Sequence, residues 1–172
     1  MAGRRLAWMV VLAMPMGVGW AQESPTLYLA PGGLDAEMAY DSVHIGMDVT
    51  SRTDTVKSAI KLWGGALEQG RMEECGAGPI HFARFGNGVT LHFQDEAFVG
   101  WSASAESSAS FANDLTIGAP VIGIEAVAGP VETFESTLGH EFGGENLFGI
   151  ADGPGTKAKI EVLWSGMSCV FR

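Results

Sequence analysis

The residues best suited to chemistry crowd into one stretch, His140-Glu141-Phe142-Gly143-Gly144-Glu145-Asn146-Leu147-Phe148-Gly149-Ile150-Ala151-Asp152. An imidazole and several carboxylates this close in sequence are donors for a divalent cation, and a carboxylate beside a bound cation takes a proton from a coordinated water. Two such donors four residues apart share one face of a helix, and a glycine lets the chain leave that helix sharply. A helix to carry them is legible in Phe134, Leu138 and Phe142, apolar at spacings of four and starting at Glu132, just after the break at Gly129-Pro130.

These residues resemble the active-site motif of the metzincin-type, matrixin-like zinc metallopeptidases, HExxHxxGxxH with Asp as a variant third ligand, followed by a turn containing Met. His140-Glu141 matches the first half, Gly149 with Asp152 matches the second, and Ser165-Gly166-Met167-Ser168 looks like the Met turn. The resemblance implies zinc held by His140 and Asp152, with Glu141 as the general base. The middle His has no counterpart: Gly144 stands at its spacing from His140, and Asn146 at its spacing from Gly149. A one-residue π-bulge at Gly143-Gly144 would bring Glu145 onto that face as the third ligand. Otherwise the ligand would come from His81 or His92, which read as polar-face residues of strands. A His, Glu and Asp set is more anionic than the usual site and would activate its water less.

The upstream elements fit the same layout. Val43, Ile45, Met47 and Val49 alternate with polar residues from Ser42 to Thr50, the period of a half-buried strand. Val56, Ala59, Ile60, Trp63 and Leu67 fall on one helical face over 55–67, with Asp54 placed to cap it. Ile80 to Phe85 and Val89 to Phe93 flank Gly86-Asn87-Gly88, a hairpin signal. Val121 to Val127 reads as a further strand, and no internal repeat stands out. The expected fold is therefore α+β, a zincin-like mixed sheet packed on the active-site helix. Five residues follow Met167, so this domain is short at its C-terminus relative to the family.

Arg4 and Arg5 precede an apolar run from Leu6 to Trp20 and then Ala21, the layout of a secretory signal peptide over residues 1–21. Residues 22–172 would form one exported domain, extracellular or periplasmic, with no membrane segment after cleavage. The net charge of -10 becomes -12 when the two arginines leave, which disfavours nucleic acid. Cys75 and Cys169 are expected to pair in an oxidising compartment, pinning the Met turn.

The function these readings imply is a secreted zinc-dependent metalloendopeptidase. An extended peptide would lie beside the 121–127 strand and be cut by zinc-activated water. The alternative is an inactive relative that binds protein or peptide without cutting, and a third reading is an unrelated secreted binding module held by one disulfide. Oligomeric state is not legible.

Overall fold

The computed structural model describes residues 25–169. The expected signal peptide, residues 1–21, lies outside the described residues. Three antiparallel strands come first: β1 (Thr26–Ala30), β2 (Gly33–Met38) and β3 (Asp41–Gly46). Helix α1 follows (Arg52–Trp63). Its N-cap is Ser51, whose Oγ accepts from the Asp54 N–H at 3.1 Å and donates to the Asp54 carboxylate at 2.8 Å. The helix starts earlier than the apolar spacing indicates because this cap lies one turn upstream of Val56.

A meander comes next: β4 (Ala66–Met72), β5 (Ile80–Phe85), β6 (Val89–Gln94) and β7 (Ala97–Ala103). The β5–β6 hairpin is the one announced by Gly86-Asn87-Gly88. A 3-10 turn (Val121–Ile124) runs into the short helix α2 (Glu125–Ala128). A second meander closes the chain: β8 (Glu132–Ser136), β9 (Gly139–Gly144), β10 (Leu147–Ala151) and β11 (Ile160–Gly166). The two meanders join through β7 and β11 into one eight-stranded sheet of order β4-β5-β6-β7-β11-β10-β9-β8, antiparallel throughout.

This corrects the expected α+β zincin-like fold, since strand makes up 49% and helix 14% of the described residues and the sheet is not mixed. Two segments account for it. Residues 121–127 are 3-10 and helical, whereas 132–151 is strand and holds no active-site helix. The apolar spacing of Phe134, Leu138 and Phe142 is overridden by Gly139, Gly143, Gly144 and Gly149, each of which weakens a helix by about 1 kcal/mol. In the sheet three glycines have a purpose. Gly70, Gly143 and Gly149 stand opposite Phe82, Phe148 and Phe142 across their ladders. A Cβ at Gly143 or Gly70 would come within 2.9 Å of the facing ring. Each missing side chain leaves room for a phenyl ring to lie over the neighbouring strand.

The strand order is a palindrome, and so is the register. Ser102 of β7 pairs with Trp164 of β11, and Trp101 with Ser165 just as Leu163 pairs with Ala103. Moving outward, Thr90 pairs with Ser102 as Phe148 pairs with Trp164, and Ala83 pairs with Leu91 as Phe142 pairs with Gly149. At the rims Glu68 faces Arg84 as Glu132 faces Gly143. The sheet is thus an internal repeat about a two-fold axis between Ser102 and Trp164, each half led by a helix that ends on a positive-φ glycine, Gly64 at φ 92° and Gly129 at φ 67°. No repeat is visible in the sequence because equivalent positions carry different residue types.

The inner face of the sheet packs on α1 and the three-stranded sheet, with Phe85, Leu91, Trp101, Phe142 and Leu163 in one buried cluster with Leu29 and Leu34. Indole N–H groups tie the layers: Trp101 donates to the Ala30 carbonyl at 3.0 Å and Trp63 to that of Leu27 at 2.9 Å. Buried Ser165 does the same, accepting from the Gly32 N–H at 2.8 Å and donating to the Asn146 carbonyl.

Candidate functional site

The expected zinc residues are distributed along one hairpin. His140 and Glu141 are consecutive on β9, so their side chains leave on opposite faces of the strand. His140 stands opposite Glu135 of β8, its Nδ1 3.6 Å from that carboxylate. Glu141 is 2% exposed and belongs to the outer face, opposite Phe134. Glu145 is exposed in the β9–β10 turn beside Asn146, whose φ is 55°, at the far end of the hairpin from His140. No π-bulge forms there, because there is no helix to bulge.

Asp152 follows Ala151, the residue paired with His140. Its carboxylate accepts the Lys159 N–H at 2.7 Å and its own N–H donates to the Lys159 carbonyl at 2.9 Å, closing the base of the β10–β11 loop. The four donors expected to share a cation, or to act on its water, are therefore not brought together, and among the described residues no group of three or more His, Cys, Asp or Glu is placed to hold a metal. The donor set does not fit zinc here. Gly149 is where Phe142 crosses, not a helix exit.

One expectation holds. Cys75 and Cys169 form the disulfide, with Cα atoms 5.3 Å apart. Met167 follows the end of β11 at Gly166, whose φ is 68°, and its N–H donates to the Val99 carbonyl at 2.8 Å. Its backbone rests on Gly100, where any Cβ would collide with it. From there Ser168 and Cys169 run over the outer face of the sheet to Cys75, a covalent strap closing a chain separation of 94 residues. Constraining so long a loop in the unfolded chain contributes about 4.7 kcal/mol in the chain-entropy model.

What the structure does build is on the two halves of the sheet. At one end, β8 is the last strand, and all five of its residues are exposed. Beside it, Glu135, His140, Phe142 and Pro154 line a cleft of about 230 Å³. On the other half, the outer face of β5 to β7 carries a groove around His92. That imidazole is 4% exposed, and burial lowers its pKa from 6.5 to about 4, so it is neutral in ordinary buffers. Its Nε2 lies 3.1 Å from Ser102 Oγ, and its Nδ1 is sealed from solvent with no hydrogen-bond partner.

The sequence placed His92 on a polar strand face but carried no sign of this pairing. Its partner is a strand away, at the start of the serine-rich segment 102–110. The available signal was the alternation Thr90, His92 against Val89, Leu91, Phe93, which already puts two polar side chains on one face of a buried strand.

No protein-family model, no curated protein and no solved structure matches this chain.

Proposed function

We propose that the chain is an exported, disulfide-stabilised binding protein that takes an extended basic peptide segment along the open edge of β8, without hydrolysing it. One observation carries this: the eight-stranded sheet ends in a fully exposed strand whose only charged residues are Glu132 and Glu135. An extended peptide added there would complete the ladder with main-chain hydrogen bonds, the usual source of affinity in strand addition. Phe134, 46% exposed, offers an apolar contact on the face that carries Glu132, while Glu135 leaves on the other face. The cleft beneath Glu135 and His140 offers room for an alternate side chain.

Charge decides the partner. Two copies of this edge would set Glu132 and Glu135 against like charges, which disfavours self-pairing, whereas Lys or Arg on an added strand would face carboxylates. The opposite edge differs, since β4 carries both Glu68, bonded to Arg84 at 2.8 Å, and Arg71, 3.3 Å from Glu73. Its charges are already compensated. Hydrolysis is not part of the proposal, because the chemistry that motivated it needs His140 and Glu141 to act on one bound water, and β9 turns them to opposite faces.

The test is fluorescence anisotropy with a labelled peptide of Lys and Val whose lysines stand three residues apart, so that each face of the added strand carries one, against its Glu-for-Lys counterpart. The basic peptide is expected to bind and to weaken with added salt. It should lose roughly fivefold in the Glu132→Lys/Glu135→Lys variant, the scale of two exposed ion pairs, and be recovered intact after incubation with zinc. Equal binding of both peptides, or indifference to the double substitution, would sink the proposal.

A further inference from the structure

The groove on the outer face of β5 to β7 is a second site, independent of the β8 edge. Its floor is Thr90, His92 and Ser102, with Phe82 and Arg84 along one side and the Ser168–Cys169 strap closing one end. That part encloses about 190 Å³. It continues past Arg84, Thr90 and Ser102 into an open section of about 580 Å³ bordered by Leu67, Glu106 and Val162.

The two-fold register shows what shape is missing here. One row runs straight across the outer face: Glu68, Arg84, Thr90, Ser102, Trp164, Phe148, Gly143, Glu132. In the second half the positions next to the axis hold Trp164 and Phe148, whose rings stack with centroids 6.4 Å apart. In the first half the equivalent positions hold Ser102 and Thr90, and Ile150 is replaced by His92. Small hydroxyl side chains therefore stand where the repeat elsewhere seats a pair of flat rings. The space left is ring-sized, and hydroxyls line it.

The chemistry of the lining narrows the occupant. Among the described residues the one cation lining the groove, the Arg84 guanidinium, donates to the Glu68 carboxylate at 2.8 Å and lies 5.9 Å from the Phe82 ring centroid, so its charge is already engaged. An overall charge of -10 disfavours anions further. The Thr90, Ser102 and Ser168 hydroxyls each donate and accept, with Ser102 Oγ already 3.1 Å from His92 Nε2. Phe82 and Met72 add apolar surface for C–H groups. Hydroxyl lining, an apolar wall, a ring-sized volume and no net charge all suit the same kind of molecule. We infer that this groove binds a neutral, hydroxyl-bearing ring, a pyranose unit of a saccharide.

The experiment is saturation-transfer NMR on the disulfide-bonded chain with the methyl glycosides of glucose, galactose, mannose and N-acetylglucosamine. At least one is expected to receive transfer into its ring protons, with a dissociation constant on the order of 1 mM. Thr90→Val keeps the shape and removes one hydroxyl, and should weaken binding about fivefold, the scale of one neutral hydrogen bond. Ser102→Phe restores the ring of the other half and should abolish transfer; its fold is checked by circular dichroism, and if it fails to fold the Thr90→Val result decides. The Glu132→Lys/Glu135→Lys variant should retain transfer, which separates this site from the peptide edge. Absence of transfer from all four glycosides, or transfer undiminished in Thr90→Val and in folded Ser102→Phe, overturns the inference.

Discussion

The two halves of the eight-stranded sheet share one ladder and differ in how each fills it. On the inner face the first half pairs a small residue with a large one, Ala83 with Leu91. The second half reverses the order, pairing Phe142 with Gly149. On the outer face the first half is polar and hollow, with Thr90, His92 and Ser102, while the second is aromatic and filled, with Phe148, Ile150 and Trp164. The backbone repeat fixes only where side chains meet. Volume can be exchanged across a pair, and polarity across the axis, without disturbing the hydrogen-bonded frame.

The strongest way to break this comparison is to exchange the volumes. Phe142→Ala alone is expected to cost about 3–5 kcal/mol through the cavity it leaves in the core. Gly149→Leu alone should cost about 1–3 kcal/mol or more, because its side chain would collide with the Phe142 ring and the Val162 carbonyl. Together they write the Ala83–Leu91 pair into the second half, and the double variant should be less destabilised than the sum by about 1 kcal/mol or more. Urea denaturation of all four proteins measures this, and strict additivity would show that the two pairs are not equivalent.

A smaller effect comes from His92→Ile, which gives the first half the residue of the second. The folded pKa of His92 lies near 4 against 6.5 for a free imidazole. The unfolded chain therefore takes up the proton first as pH falls. The stabilising contribution is fully present above about pH 6.5 and is lost on the way down to pH 4, roughly 3 kcal/mol in all. His92→Ile should flatten that part of the pH–stability profile, measured by urea melts at pH 7 and pH 4.5. An unchanged acid limb would mean that other groups carry it.

The smallest difference lies in the hairpin turns. The β5–β6 turn uses glycines, with Gly88 at φ 79°, where the β9–β10 turn relies on Asn146 at φ 55°. Asn tolerates this left-handed region and β-branched residues do not, so Asn146→Val should cost about 1–2 kcal/mol in thermal or urea unfolding. Asn146→Gly should be close to neutral. Equal stability of the Val and Gly variants would remove the turn from the comparison.

Single elements of the fold, though not its class, were legible where neighbours in sequence decide the outcome. The helix read over 55–67 from its apolar stripe forms, although Ser51 and not Asp54 caps it and it ends at Trp63 with Leu67 in β4, and the β5–β6 hairpin follows from Gly86-Asn87-Gly88 between two β-rich runs. The stretch 132–151 went the other way. His140, Glu141, Gly149 and Asp152 fall in an order that reads as a helix-borne metal motif, yet two of the glycines in that stretch, Gly143 and Gly149, are suited to strands crossed by phenyl rings. The groove was illegible for a related reason, since His92, Ser102 and the Ser168–Cys169 strap come from separate parts of the chain.

By itself the sequence determined the amphipathic helix, the glycine-centred hairpin, the acidic charge and the one available cysteine pair. Each depends on local backbone preference or on counting. Tertiary structure decided that residues 132–151 are strands, that His140 and Glu141 face apart, and that Thr90 and Ser102 stand where Phe148 and Trp164 stand across the axis. Those outcomes depend on which side chain fills the space opposite another strand, and that neighbour is chosen by the register of the whole sheet.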